Sequence, residues 1–516
     1  MSSADHDTTT GALPSRSAGP STPTTNQPTA ASAPRTATPT ATPDGAPDGG
    51  QAGGPFAPAY RLVTIALVAL VSIIAYEAMA VATAMPSAAE ELDAVRSYGL
   101  AFSVMLTGQM LGIVLAGVWA DRAGPMPALY AGQLLFAGGA TICALAPTFP
   151  VLLLGRAVTG LGAGLAVVVL YVIVGQAYPS RVRPRVFSFV SAAWVLPSLV
   201  GAPLSGWLAA TFTWRLVFWI VVPPALLTLV VLYRQRVSLT GGRVDEPRDA
   251  PGDDRAAERV AHRRAARLGV LVALAAGALQ LGTHERVALL SWPALVALAG
   301  AAGIVAVTPR LLPDGTLRMA LGVPSVILSR FLLPAAFNGT ITYVPLMITQ
   351  ERGGSLASAG IVLAIGSLGW TLGSWIQGHP SMATHRAALV SVGAGFLATG
   401  CLGLVLVSAA GWTVWLFSAA MVSAGLGMGL ATSTLSVLLL DLVPPAEFGR
   451  ASASLQLADV LGSVIGIAAA SAAFAALHVA GGDTRTYLVI WSGLAVVAAV
   501  AVVSGLRCRP AHVAVT

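Results

Sequence analysis

Four ionisable residues stand inside long apolar runs of the sequence: Glu77, Arg156, Arg330 and Asp459. A charge inside a membrane span is expensive, so its presence by default marks function. Burial pushes a carboxyl toward its neutral form, and a nearby guanidinium draws it back toward the charged form. A carboxyl moved between those settings can load and release a proton. The bland use of the same residues is an ion pair that holds two spans together. Glu77 lies nine residues before Pro86, where its run ends, and Arg156 six residues after Pro150, where its run begins. These depths are about 13 Å and about 9 Å from one membrane face, so the two residues are matched for contact. Asp459 and Arg330 lie about 10–12 Å from the inner ends of their runs and form a second candidate charge pair, with the same two readings. Polar uncharged residues inside runs, chiefly Asn338, Thr340, Tyr343 and Gln109, are candidates to line a substrate pathway. A lone amide in a span equally well bonds a neighbouring helix.

Only membrane-spanning helices can position such residues. Of 516 residues, 55% are hydrophobic and 10% charged, against about 25% charged in soluble domains. Mean hydropathy is +0.77. Apolar runs long enough to span, about 20 residues, lie near 62–85, 98–120, 127–146, 150–177, 187–209, 214–232, 268–283, 288–307, 322–349, 355–377, 387–409, 412–440, 453–478 and 486–506. The fold expected is an all-α integral membrane protein with 14 transmembrane helices. The seventh run is short and ends at Gln280; without it and the eighth the count is 12. Either number is even, which puts both termini on one side.

Arginine placement says which side. With the N-terminus inside, the inner segments hold 22 Arg and the outer loops five; without the 233–267 loop the bias is still 13 to five. Positive charge collects on the cytoplasmic side, so a multi-pass protein of the cell membrane with both termini cytoplasmic is expected. The net charge of +7 is then a matter of topology and calls for no nucleic acid. Residues 1–58 are Ala, Thr, Pro, Ser and Gly with few large apolar side chains, the composition of a disordered cytoplasmic tail. Residues 233–267 read as a cytoplasmic linker and 508–516 as a cytoplasmic tail.

Absences exclude other chemistry. All 29 basic residues are Arg. A phosphate-binding G-x-x-x-x-G-K-[ST] loop needs its Lys, so a pump driven by its own P-loop is excluded, as is a Schiff-base Lys. Cys143, Cys401 and Cys508 are far apart and suit neither a disulfide framework nor a metal site. No run carries a nucleophile with a base or a metal-ligating cluster. No enzyme, cofactor or metal is expected.

An internal repeat organises the runs. Gly160-Leu161-Gly162-Ala163-Gly164-Leu165-Ala166 matches Gly425-Leu426-Gly427-Met428-Gly429-Leu430-Ala431 at a shift of 265 residues. The same shift pairs Pro179 with Pro444, Arg185 with Arg450, Ala193 with Ala458 and Gly201 with Gly466. One register held across two spans and the loop between them implies a parallel repeat about an axis along the membrane normal. Two six-helix halves follow, 59–232 and 321–507, with two inserted helices and a loop at 268–320. Arg156 aligns with Met421 and Asp459 with Trp194, so each charge is specific to one half.

Several motifs now resemble the major facilitator superfamily, and within it the fourteen-span drug:proton antiporters. Gly117-Val-Trp-Ala-Asp121-Arg122-Ala-Gly124 is similar to the family's G-x-x-x-D-R-x-G loop, whose Asp and Arg clasp helix ends and steady one conformation. Arg156-Ala-Val-Thr-Gly160 is similar to its R-x-x-x-G pattern. Gly201-Ala-Pro203-Leu-Ser-Gly206 matches part of the antiporter G-P-x-x-G-G signature, and Trp214-Arg215-Leu-Val-Phe218-Trp-Ile220-Val-Val-Pro223 resembles W-R-x-x-F-x-I-x-x-P. Glu77 falls on the acidic position of the L-D-x-T-I-V-N-V-A-L-P pattern, while Met79 and Ala82 replace its Thr and Asn. The resemblance implies adjacent first and fourth spans, and hence a Glu77–Arg156 contact with Glu77 as the coupling carboxylate. It implies a monomer that exchanges protons for hydrophobic or amphiphilic small molecules by alternating access. A metabolite or lipid exporter, a symporting importer, and a non-transporting receptor remain alternatives on the same fold.

Overall fold

A computed structural model describes residues 55–58, 60–178, 182–235, 252–282, 291–444, 448–479 and 483–509. Among these residues the regular structure is helical: α1 (Arg61–Glu91), α2 (Leu100–Ala123), α3 (Pro125–Ala144), α4 (Phe149–Ala177), α5 (Arg183–Thr211), α6 (Arg215–Trp219), α7 (Val222–Arg234), α8 (Gly252–Gly282), α9 (Trp292–Leu311), α10 (Val323–Gln350), α11 (Leu356–Gln377), α12 (Arg386–Ala409), α13 (Trp415–Leu442), α14 (Phe448–Leu477) and α15 (Thr484–Leu506), with short 3-10 turns between some of them.

Twelve stretches among the described residues are long and apolar enough to cross a membrane. The fifth and seventh predicted runs are the two that fall short, as Leu199–Thr211 and Arg267–Gly282. The eighth qualifies, as Trp292–Arg310, so these are not the twelve that the sequence offered as its smaller count. Both shorter stretches belong to longer helices, of 29 residues in α5 and 31 in α8. Each backbone is about 45 Å long, enough to cross.

Several boundaries differ from the sequence reading. Helix α1 runs through Pro86 to Glu91. The sixth run breaks into α6 and α7 just before Pro223-Pro224, whose missing N–H groups and ring bulk interrupt the helical ladder. Helix α8 begins at Gly252, within the polar segment taken as linker; Ala and Arg dominate that stretch, and both favour helix. The described residues begin at Pro55, inside the stretch taken as tail, and are packed there. The Pro55 carbonyl accepts from Thr64 Oγ1 at 2.6 Å, and Phe56 meets Phe189 edge-on at 5.0 Å. The rest of that tail, most of the linker and residues 510–516 lie outside the described residues.

The glycine repeat explains the packing. On α4, Cβ atoms at Gly160 and Gly164 would overlap carbonyls of Met105 and Gln109 on α2, and one at Gly162 would overlap Phe136 on α3. On α13, Gly425 and Gly429 meet α11 at Gly366 and Trp370, and Gly427 meets Gly393 on α12. Three glycines at i, i+2 and i+4 thus let one helix wedge between two neighbours, the small-residue contact that membrane helices favour. The remaining pairs repeat as well: α1 with α5 as α10 with α14, and α3 with α7 as α12 with α15.

The start of α1 and the end of α15 lie at one end of the bundle, here the proximal end. Thr64 of α1 bonds Tyr178 just past α4, and the Gly322 N–H just before α10 bonds the Arg507 carbonyl just past α15. The opposite, distal ends of α1 and α10 are joined by Gln350 Nε2 donating to Glu90 at 3.4 Å. Other contacts between the two sets of helices gather distally. A Cβ at Gly206 of α5 would lie 2.5 Å from the Leu356 carbonyl of α11, and one at Gly99 would overlap Ser471 of α14. Tyr98 packs on Tyr343 with ring centroids 5.6 Å apart. The conformation is therefore one with the distal end closed.

Candidate functional site

Glu77 and Arg156 meet in an ion pair between α1 and α4. Both are buried, Glu77 completely. Arg156 uses its whole fork: Nη1 donates to Glu77 Oε1, Nε to the Ala101 carbonyl at 2.9 Å, and Nη2 to Met105 Sδ at 2.9 Å. Glu77 is less well served, since its Oε2 has no partner among the described residues. Ala101 and Met105 belong to α2, so the guanidinium ties three helices together. The depth of Glu77 differs from the expectation. Counted from Glu91 it is about 21 Å from the distal end of its helix, because Pro86 does not end α1. The contact forms all the same, since Arg156 reaches across.

The second pair also forms. Arg330 Nε lies 2.8 Å from Asp459 Oδ1, with the N–H not aligned on the oxygen, and Arg330 Nη1 donates to the Thr432 carbonyl at 2.9 Å. This pair is accessible, with side-chain exposures of 15% for Arg330 and 29% for Asp459. Asn338 on α10 donates to Ser463 Oγ at 2.8 Å, and Ser463 Oγ donates to the Asp459 carbonyl at 2.8 Å. The candidate pathway residues fall into two groups. Asn338 and Gln109 are half-buried; Thr340 and Tyr343 are fully buried. Thr340 Oγ1 lies 3.3 Å from Cys401 Sγ, and Tyr343 packs between Tyr98 and Phe474, so both sit within helix contacts.

The Asp-Arg motif is not a loop. Gly117, Asp121 and Arg122 lie on the last turns of α2, and Gly124, at φ +80, is the one residue that turns the chain into α3. Nothing between 117 and 123 breaks a helix, and only a glycine adopts that turn at low cost. The side chains of Asp121 and Arg122 lie outside the described part of the molecule. The Gly201–Gly206 segment joins α5 to two partners. The Tyr76 ring of α1 faces Gly201, Thr83 Oγ1 donates to the Ala202 carbonyl at 3.2 Å, and Gly360 of α11 backs against Ala202 and Pro203.

Three residues escaped the sequence reading. Glu91 accepts from Trp214 Nε1 at 2.7 Å and from Arg215 at 2.5 Å, with the guanidinium 4.3 Å over the Trp214 ring. The Trp-Arg motif was visible, but a Glu at a span's edge gives no signal of its own. Gln280, read as the polar end of a weak run, is buried and donates to Thr107 Oγ1 at 2.9 Å, fixing α8 to α2. His478 is buried at the distal end, stacked on Phe474 at 4.4 Å and 3.5 Å from Asp483. Burial holds its pKa below the ordinary value, against the pull of Asp483 and Glu351.

A family model described as Major Facilitator Superfamily matches residues 65–467. An uncharacterized MFS-type transporter of Mycobacterium tuberculosis is 27% identical over 438 residues, covering 81% of this chain and 60% of that protein. The chain thus spans well under two thirds of that relative's length. A second protein of the same organism, named a probable multidrug-efflux transporter, is 26% identical, covering 74% of this chain and 81% of its own. Among solved structures, a peptide transporter in complex with sulfate superposes with TM-score 0.62 at 16% identity, covering 86% of this chain and 92% of that one. A D-xylose-proton symporter gives 0.55 at 18% identity, covering 84% and 96%. At those identities the likeness is one of fold.

Proposed function

The chain belongs to the major facilitator superfamily, and from that footing we propose that it exports hydrophobic or amphiphilic small molecules across the cell membrane in exchange for protons. The observation that carries this reading is Glu77 with its unpartnered Oε2. A buried carboxylate whose second oxygen lacks a donor is poorly stabilised as an anion, so a proton on that oxygen relieves a real desolvation cost. Arg156 opposes protonation through Oε1. Opening the distal end would change the balance between the two, loading the proton on one side and releasing it on the other. Efflux rather than uptake is favoured by the relative named for multidrug efflux.

In this reading 59–232 and 321–507 are the two halves, 268–320 is an insert between them, and fourteen helices cross. The repeated packing of α1–α5 and α10–α14 supports that division. The proximal end is placed in the cytoplasm on the arginine bias, and the protein works as a monomer. The test is uphill transport of a dye by the full chain in proteoliposomes under an imposed pH gradient. Glu77→Gln abolishes gradient-driven accumulation at equal reconstitution. Accumulation by the variant at the parent rate overturns the coupling assignment, and proton flux in the same direction as the dye overturns antiport.

A further inference from the structure

The distal closure carries a titratable group on its contact face. Ser471, Phe474 and His478 are spaced i, i+3 and i+7, and the His478 N–H still bonds the Phe474 carbonyl at 2.8 Å. The three therefore share one face at the end of α14. That face meets the α1–α7 set of helices. A Cβ at Gly99 would overlap Ser471 Oγ. From Tyr98, just before α2, ring contacts run to Tyr343 at 5.6 Å, from Tyr343 to Phe474 at 5.0 Å, and from Phe474 to His478 at 4.4 Å. The 3-10 turn Val95–Ser97, between α1 and α2, also packs on α14. His478 is 6% exposed, so the closed distal end encloses an imidazole.

The charges around that imidazole divide between the two sets. Asp483 Oδ2 lies 3.5 Å from His478 Nδ1 and accepts from the Val479 N–H at 3.1 Å. The Asp483 N–H in turn donates to Glu351 at the end of α10, at 2.9 Å. Both carboxylates belong to the α10–α15 set and stay with His478 when the two sets part. Arg96 stands on the 3-10 turn of the other set. Tyr98, Tyr343 and Tyr487, the remaining titratable groups nearby, are phenols that stay neutral near pH 7. Burial is the chief influence on His478 and holds its ring neutral; Asp483 and Glu351 favour the charged form, and Arg96 opposes it. Opening the distal end takes Arg96 away and admits water, while both carboxylates remain. The open conformation thus holds a proton on His478 more readily than the closed one, and acid favours opening.

We infer that His478 is an acid-sensitive latch on the distal closure: proton uptake by its imidazole releases the α1–α7 set from the α10–α15 set at that end. This rests on the alternating opening proposed above, and not on the role of Glu77. The test uses the full chain in lipid nanodiscs, spin-labelled through Leu145→Cys and Trp412→Cys, two exposed distal positions on opposite sets. Double electron–electron resonance reads the label-to-label distance from about pH 7.5 to about pH 5.5, across the ordinary histidine value. In the parent, the ratio of long-distance to short-distance molecules rises by up to about tenfold per pH unit below about 6.5, the limit for one proton. His478→Phe keeps the stack on Phe474 and loses that rise. His478→Arg holds the long distance at both ends of the range. Arg96→Gln removes the opposing charge across the closure and makes the rise shallower, which decides the matter if His478→Phe fails to fold. A merely structural histidine moves none of these. The inference is overturned if the parent keeps one distance distribution throughout, or if His478→Phe lengthens with acid as the parent does. If Glu77→Gln abolishes the rise while His478→Phe keeps it, acid acts through Glu77 and the latch falls. If Glu77→Gln keeps both the rise and uphill transport, the latch stands and the coupling assignment falls.

Discussion

Replacing the two members of the buried pair one at a time should give unequal results. Glu77→Gln removes one charge-assisted hydrogen bond, worth about 1.5–3 kcal/mol, but also removes the unpartnered anionic Oε2, whose burial costs about 1–3 kcal/mol. The amide oxygen can still accept from Arg156, which keeps the Ala101 carbonyl and Met105 sulfur. The hydrogen-bond terms nearly cancel, and the guanidinium left without its anion keeps an acceptor at each donor group, so the net loss stays below about 3 kcal/mol. Arg156→Gln is different. It leaves the Glu77 carboxylate buried beside no cation and frees the Ala101 carbonyl, and breaking a buried pair from one side costs about 3–5 kcal/mol. Reversible unfolding in mixed micelles with increasing sodium dodecyl sulfate measures both, and the double variant gives the coupling. The expected order is the parent highest, Glu77→Gln less than about 3 kcal/mol below it, Arg156→Gln lower still, and the double variant above Arg156→Gln. Equal losses of about 3 kcal/mol or more in both single variants would mean that the pair is a structural bolt and that Glu77 is an ordinary ionised partner.

Other consequences of the packing can be checked the same way. Gly160→Ala should cost about 1–3 kcal/mol, because its Cβ would overlap the Met105 carbonyl, a backbone atom that cannot step aside; Gly138→Ala, with nothing within 4 Å, is the control and should stay within about 0.5 kcal/mol. Gln280→Leu should cost about 0.6 kcal/mol and loosen α8 from α2, read as faster proteolysis of the 233–267 segment. The exposed pair of Arg386 and Asp441 should matter little, with Asp441→Asn within about 1 kcal/mol. His478 has a lowered pKa in the folded chain, so the unfolded chain binds more protons and stability falls as pH drops below the unfolded value of about 6.5. His478→Phe keeps the stack on Phe474 and should flatten that part of the unfolding profile.

Much of the fold was legible because a bilayer leaves so few options. Uninterrupted apolar runs located most of the helices, and the glycines that carry the register of 265 residues are the ones in contact. Boundaries were harder. Pro86 and the polar segment from Gly252 sit inside helices, since proline late in a span and Ala-Arg stretches beyond it are both compatible with helix once neighbours support them. Glu77 and Arg156 were legible through the rarity of buried charge. The roles of Thr340 and Tyr343 were not, because in a span that is apolar on every face the sequence gives no clue to which side meets a neighbour. Glu91 and Gln280 were missed for a related reason: near a membrane edge a polar residue looks solvated, and only tertiary contact shows that it is bound.

The contacts also suggest how a proton on Glu77 would be felt at the far end of the molecule. Tyr76, its chain neighbour, packs against Gly201 and lies 3.1 Å from Ser205 Oγ. Two turns further along α1, Thr83 bonds the Ala202 carbonyl, and that same residue backs onto Gly360 of α11. Four residues beyond Ala202, Gly206 meets Leu356 at the distal closure. Under the proposed reading, α1 and α5 are gripped together along the stretch that carries the carboxylate, and α5 is the helix that holds the distal end shut against α11. No long-range wire is needed. A neutral Glu77 loosens α1 from Arg156 on α4, and any rotation of α1 that follows is passed to the Gly201–Gly206 contact directly. Interfaces made of glycine against backbone suit such a step, because they tolerate little compression and so favour two discrete packings over a continuous range.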